Sequence, residues 1–141
     1  MIEKAGSAKW QGDLKSGKGT VSTESTALKD QPYGFDTRFE DKPGTNPEEL
    51  IGAAHASCFS MALSMILGDF DLVADEISTT AKIGMDKEGD GFAVKSSHLT
   101  VAARIPGASE EDFKKAAETA KDNCPISKLL DCEITMNARL V

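Results

Sequence analysis

The sequence predicts an α+β protein of antiparallel strands and two principal helices. Two observations carry this. Short alternating segments come in hairpin-like runs near the start, the middle and the end of the chain. The helical segments separate these runs, so strands and helices do not alternate one by one as in a doubly wound α/β fold.

Lys9-Trp10-Gln11 leads into a turn-like stretch from Gly12 to Gly19. Thr20 to Ser25 is β-branched and alternating, as in a half-exposed strand. Gln31-Pro32-Tyr33-Gly34 signals a turn or bulge. Phe35, Thr37 and Phe39 then alternate with Asp36, Arg38 and Glu40, which predicts a third strand with Arg38 facing away from the phenylalanines.

Asn46-Pro47-Glu48-Glu49 starts a helix in several ways at once. Asn46 suits the N-cap, Pro47 the first helical position, and Glu49 the third position of a capping box. This helix is expected to run to about Leu67, with Gly68 as its C-terminal cap. Ile77, Thr79, Ala81, Ile83 and Met85 share one face of a strand, and Glu88-Gly89-Asp90-Gly91 turns it into a hairpin. In the returning strand the apolar phase changes between Val94 and Leu99, which predicts a bulge near Lys95–His98. Ser109 caps a second helix whose stripe is Phe113, Ala116, Ala117, Ala120 and Cys124, and Pro125 breaks it. Ile134, Met136, Ala138 and Leu140 make a closing strand.

At 141 residues, one domain over 1–141 is expected. Acids exceed bases by 23 to 16, for a net charge of −7. That balance opposes binding to a nucleic-acid backbone or an anionic membrane surface. Leu50 to Leu67 carries no Asp, Glu, Lys or Arg, close to the length of a membrane span. It also holds Gly52, His55, Ser57, Ser60 and Ser64 and is flanked by acids, so a core helix partly covered by a second subunit is the expectation. Met1-Ile2-Glu3-Lys4 has no signal-peptide core, which points to the cytoplasm.

Three cysteines, Cys58, Cys124 and Cys132, are no disulfide framework. Each has a plain reading as a small core residue. Cys58 and Cys124 each lie on a helix, and sequence spacing says nothing of whether they meet. His55 and Cys58 share a helix face, which leaves a metal site open, with Cys124 and Cys132 as further ligands; no Cys-x-x-Cys or His-x-x-x-His pair supports it. A Cys–His hydrolase using Cys58 with His55 or His98 is a third option. For Arg38 and Glu48 the plain readings are a solvated strand residue and an acid complementing the helix dipole.

Several stretches resemble the family of osmotically inducible protein C and the organic hydroperoxide resistance proteins. They are Gly17–Ser25, Gln31–Phe35, Thr37-Arg38-Phe39, Gly44–Leu63 with its Ala54-His55-Ala56-Ser57-Cys58 centre, and Asn123-Cys124-Pro125-Ile126-Ser127. Together they favour the osmotically inducible branch. The resemblance implies the OsmC-like fold, antiparallel sheets wrapped around long central helices in an intertwined homodimer with active sites at the subunit interface. It implies a thiol peroxidase reducing organic hydroperoxides. Cys58 is carried over as the attacking thiol, Cys124 as the resolving thiol, and Arg38 and Glu48 as the motif arginine and glutamate. Cys132 matches no family position. No cofactor or metal is implied; an external dithiol recycles the enzyme. The alternative is a non-enzymatic redox sensor or binding protein on the same fold.

These roles make chemical sense. A guanidinium beside a buried sulfur opposes the penalty of burial on the thiolate, and a carboxylate can orient that guanidinium through a bidentate pair. Ten helical residues rise about 15 Å and turn through a net offset of roughly 80°. Glu48 therefore cannot touch Cys58 along one straight helix. Either the helix breaks near Gly52, or Arg38 and Glu48 serve the Cys58 of a partner chain.

Overall fold

The chain, described over residues 1–141 by a computed structural model, divides into two units, Met1–Leu50 and Ile51–Val141. In the first, β1 (Gly6–Gln11), β2 (Lys18–Thr23) and β3 (Gln31–Tyr33) form an antiparallel sheet in the order β1-β2-β3. Trp10 stands opposite Gly19, and its ring tilts against Tyr33 at 5.6 Å between centroids. Every residue of β1 is exposed. The stretch predicted as a turn, Gln31–Tyr33, is instead an edge strand, a position where Pro32 costs no ladder hydrogen bond.

The predicted third strand is also corrected. Phe35–Phe39 forms a short helix, α1. Phe35 and Phe39 are one helical turn apart, and their rings meet at 5.0 Å. A spacing of four satisfies a period of 2 and a period of 3.6 alike, so five residues cannot separate them. Local hydrogen bonds decide for the helix: Gly34 N–H donates to Thr37 Oγ1 at 3.0 Å, and Thr37 Oγ1 donates to the Thr45 carbonyl at 2.8 Å.

The long helix α2 spans Pro47–Leu67. Asn46 caps it as expected: its Oδ1 accepts from Glu49 N–H at 2.8 Å, while its side-chain amide donates to the Thr37 carbonyl at 3.1 Å. α2 is unbroken through Gly52. Gly68 is not its left-handed cap. A 3-10 turn, Gly68–Phe70, intervenes, and Asp71 takes the left-handed conformation at φ 56° while Leu72 N–H donates to the Leu67 carbonyl at 3.0 Å.

The second unit holds β4 (Glu76–Glu88), β5 (Gly91–Arg104) and β6 (Glu133–Leu140) in the order β4-β5-β6. The β4–β5 hairpin turns at Gly89, φ 59°, which glycine adopts freely. Its register slips between Gly84 and Met85, which leaves Lys95 unpaired and places the bulge where the phase change predicts it. β5 and β6 pair in parallel, so this sheet is mixed rather than wholly antiparallel. The connection through α3 (Glu110–Asn123) and α4 (Pro125–Leu129) returns the chain to the end where β5 began, which fixes that direction.

The core of this unit joins Phe59, Leu63 and Leu67 of α2, Leu99, Val101 and Ala103 of β5, and Phe113, Ala116, Ala117 and Ala120 of α3, all fully buried. Each large apolar side chain there contributes roughly 1.5–3 kcal/mol. α2 lies close to the sheet because Gly52 lets it: a Cβ there would fall 2.8 Å from the Ala81 carbonyl oxygen. Ser60 Oγ also meets Thr79 Oγ1 at 2.8 Å. The buried stripe of α2 is Gly52, His55, Phe59, Leu63 and Leu67. Its other side carries exposed Ala53, Ala54, Met61 and Met65. By length and composition, the segment Pro47–Phe70 would suffice to cross a membrane; in this fold its stripe packs on a sheet.

Candidate active site

In the first unit, α1 presents Arg38 and the first turn of α2 presents Glu48. Arg38 Nη2 donates to Glu48 Oε1 at 2.8 Å, and Arg38 Nε donates to Oε1 at 3.1 Å and Oε2 at 3.3 Å. The guanidinium also lies 5.3 Å from the centre of the Phe39 ring. Arg38 thus sits on a helix rather than the expected strand, yet in the side-on pairing with the carboxylate that its planar fork favours. A cavity of about 700 Å³ opens elsewhere in this unit, beside Gly17, Tyr33, Phe35 and Lys42. Neither Arg38 nor Glu48 lines it, so concavity alone is a poor guide to the chemistry here.

In the second unit, Cys58 sits midway along α2, and Cys124 occupies the junction of α3 and α4. Both are free thiols, Cys58 half-buried and Cys124 buried. The Cys58 thiol lies within electrostatic reach of Cys124 and of the Ile126 backbone N–H. Burial pushes the Cys58 thiol above its ordinary pKa; the Ile126 N–H works against this, and the neighbouring Cys124 adds to it. The α3–α4 break is what brings the two together: Pro125 starts a new helix, so the chain turns at Cys124 and offers its following amides to sulfur.

Cys132 stands just before β6, where burial and the charge of Asp131 raise its pKa. His98 hydrogen-bonds Thr135 across the β5–β6 pair and lies on a sheet face. His55 does not pair with Cys58. Its Nδ1 meets Ser97 Oγ at 2.7 Å and its Nε2 meets Ser127 Oγ at 2.8 Å, and the ring is fully buried. Burial lowers its pKa, which favours the neutral imidazole. With both nitrogens occupied by hydroxyls, His55 has none left for a metal or for a Cys58 hydrolase pair, and no group of three or more His, Cys, Asp or Glu side chains is assembled to hold a metal ion.

Sequence reasoning did not single out Ser97 and Ser127. Ser127 lies three residues after Cys124 at the start of a proline-initiated helix, a spacing that puts both on one side. Its Oγ is 3.0 Å from the Cys124 sulfur, and its N–H donates to that sulfur at 3.4 Å. Ser97 is in phase with Leu99 and Val101, so it faces the core, where a hydroxyl requires a partner.

Comparison with known proteins places the chain in a family. The family model described as OsmC-like protein matches residues 39–139, which takes in Glu48, Cys58 and Cys124 and begins one residue after Arg38. Peroxiredoxin OsmC of Escherichia coli is 52% identical over 139 residues, 99% of this chain and 97% of that one. Organic hydroperoxide resistance protein-like 1 of Staphylococcus epidermidis is 31% identical over 85% of this chain and 84% of its own. Among solved structures, an OsmC-like protein of unknown function from Vibrio cholerae has a TM-score of 0.78 at 17% identity, covering 99% of this chain and 100% of that one. The organic hydroperoxide resistance protein OhrB of Bacillus subtilis has 0.72 at 20%, covering 97% and 98%. These two likenesses speak for the fold, and the family match with the 52% identity speaks for descent: the chain belongs to the OsmC-like protein family.

Proposed function

We propose that this chain reduces organic hydroperoxides to alcohols, with Cys58 as the nucleophile and Cys124 as the resolving thiol, in defence against oxidative stress. That it is a cysteine-based peroxidase follows from its family and from its 52% identity to a peroxiredoxin over 99% of its length. The observation that carries the finer reading is the side-by-side placement of two free thiols on separate helices.

In this reading the Cys58 thiolate attacks one peroxide oxygen. The O–O bond breaks, the alcohol leaves, and Cys58 becomes a sulfenic acid. Cys124 then condenses with it to a disulfide and water. An external dithiol reduces the disulfide by exchange, and the electrons come from that dithiol with no cofactor. The cytoplasm is a compartment that supplies such dithiols.

Arg38, oriented by Glu48, favours the thiolate and holds the peroxide oxygens. Because α2 is unbroken through Gly52, we assign this pair to the Cys58 of a partner chain. Two further features support a homodimer with shared sites. The exposed side of α2 carries no charge from Ala53 to Met65 and includes Met61 and Met65 beside Ser57 and Ser64, and β1 is exposed along its whole length. Both are surfaces that a second copy would cover.

The test is turnover of cumene hydroperoxide with dithiothreitol. Multiple turnovers, lost in Cys58→Ser, are expected. One oxidation per chain without turnover would instead mark a redox sensor. Mass spectrometry after one equivalent of hydroperoxide should find a Cys58–Cys124 linkage with Cys132 free, and a linkage to Cys132 would overturn the assignment.

A further inference from the structure

Four buried side chains in the second unit form an unbroken hydrogen-bonded series. Ser97 Oγ meets His55 Nδ1 at 2.7 Å, His55 Nε2 meets Ser127 Oγ at 2.8 Å, and Ser127 Oγ meets Cys124 Sγ at 3.0 Å. All four belong to the buried set, with His55 and Ser97 fully enclosed. The series ends on the thiol proposed to resolve the sulfenic acid. It spans α2, β5 and the α3–α4 junction, so three elements fix its geometry.

The donors can be ordered without conflict. A neutral imidazole carries one N–H and one acceptor nitrogen. If Nδ1–H donates to Ser97 Oγ, then Nε2 accepts from the Ser127 hydroxyl, and Ser127 Oγ accepts from the Cys124 S–H. In this arrangement the Cys124 and Ser127 protons both point from the thiol toward Nε2 of the imidazole, while the Nδ1 proton points on to Ser97.

We propose that Ser127 and His55 form a proton relay for Cys124, with Ser127 the catalytic residue in contact with sulfur and His55 a positioning residue that takes up the proton. The proposal rests on the peroxidase reading of Cys58 and Cys124 and deepens it. The step balances as follows. The Cys124 S–H proton passes to Ser127 Oγ as the Ser127 proton passes to His55 Nε2. The freed Cys124 sulfur attacks the Cys58 sulfenic sulfur, the S–O bond breaks, and hydroxide leaves. The Cys124 sulfur is oxidised and the Cys58 sulfur is reduced. The proton taken from Cys124 and the hydroxide from Cys58 together make the one molecule of water released.

Burial favours the neutral form of His55, the form that can accept a proton, and disfavours the imidazolium, which then gives the proton up again. A purely structural histidine would need hydroxyl partners too. What a purely structural reading does not require is that one of those hydroxyls also touch a reactive sulfur.

The test separates the two chemical steps. The whole protein is mixed with one equivalent of cumene hydroperoxide and quenched over time. Mass spectrometry then follows oxygen addition at Cys58 and, separately, its loss as the disulfide forms. General acid–base assistance is worth about 10²–10⁴-fold, so Ser127→Ala should slow disulfide formation by at least about 10-fold. Oxygen addition should stay within about twofold of wild type, and Ser127→Thr, which restores the hydroxyl, should recover most of the lost rate. His55→Gln, which keeps a hydrogen bond without basicity, should slow the same step; if it does not fold, the Ser127 pair decides. Disulfide formation at the wild-type rate in Ser127→Ala, equal slowing of both steps, or no rescue by threonine would overturn the relay. Failure of the wild type to add oxygen at Cys58 would overturn the peroxidase reading, and the relay with it.

Discussion

Arg38 holds Glu48 side-on, with Nε and Nη2 both reaching Oε1 and Nε also reaching Oε2. The Arg38 side chain is 38% exposed and that of Glu48 15%. Pairs this close to solvent contribute about 0–1 kcal/mol to stability. The pairing therefore adds little to the stability of the fold, and in the proposed reading its use is to aim the guanidinium.

Substitutions at this pair should therefore separate activity from stability. Arg38→Lys keeps the charge but loses the planar fork, and Glu48→Gln keeps the shape but loses the charge. Each should lower kcat/KM for cumene hydroperoxide by at least about 10-fold, or about 1.4 kcal/mol of transition-state stabilisation. Each should shift unfolding by no more than about 1 kcal/mol. Steady-state kinetics beside urea melts check this, and full activity in both variants would remove the pair from the site.

The exposed methionines of α2 test the shared site. Met61 is 76% exposed and Met65 73% exposed, on the side of the helix away from the core of its own unit. Glutamate at both positions leaves that core untouched. At a subunit interface it would bury unpaired charge, which costs several kcal/mol. Met61→Glu/Met65→Glu should sediment as a folded monomer and lose most turnover. An active monomer would mean that each chain completes its own site.

Long-range relations mark the boundary of what the residues alone could tell. α2 was readable because Asn46, Pro47 and the acids of its first turn act locally, and the bulge at Lys95 was readable because a phase change is local too. α1 is not legible in the sequence because the Phe35–Phe39 spacing suits either period. The parallel pairing of β5 with β6 depends on how α3 and α4 carry the chain back, which alternation cannot express. In the site, Cys58 and Cys124 could be named from motifs but not brought together. Ser97 and Ser127 acquire meaning only once three separate elements converge on His55.

Gly52 sets the distance between α2 and β4. Alanine there would gain about 1 kcal/mol in helix propensity. Its Cβ would also stand 2.8 Å from the Ala81 carbonyl oxygen, which belongs to strand backbone and cannot swing aside. Overpacking of this kind costs about 1–3 kcal/mol. Gly52→Ala should thus destabilise the protein by about 1 kcal/mol in urea unfolding, measured at fixed protein concentration. A stabilised variant would show that the helix can lift from the strand at no cost.

The pH dependence of Cys58 tests whether the guanidinium of a second chain reaches it. Within its own unit, burial raises the thiol pKa, which leaves less thiolate at pH 7 than an ordinary thiol has. The alkylation rate follows the thiolate, so it climbs with pH until the pKa is passed. If Arg38 of a second chain stands beside the sulfur, its charge favours the thiolate and moves the midpoint down, below the ordinary value of about 8.5. Arg38→Gln removes that charge and should return the midpoint to above 8.5, with slower alkylation at pH 7. Iodoacetamide labelling across pH, read at the Cys58 peptide by mass spectrometry, measures both midpoints. Equal midpoints in wild type and Arg38→Gln would show that this guanidinium does not reach the thiol, and the role assigned to the Arg38–Glu48 pair would fall.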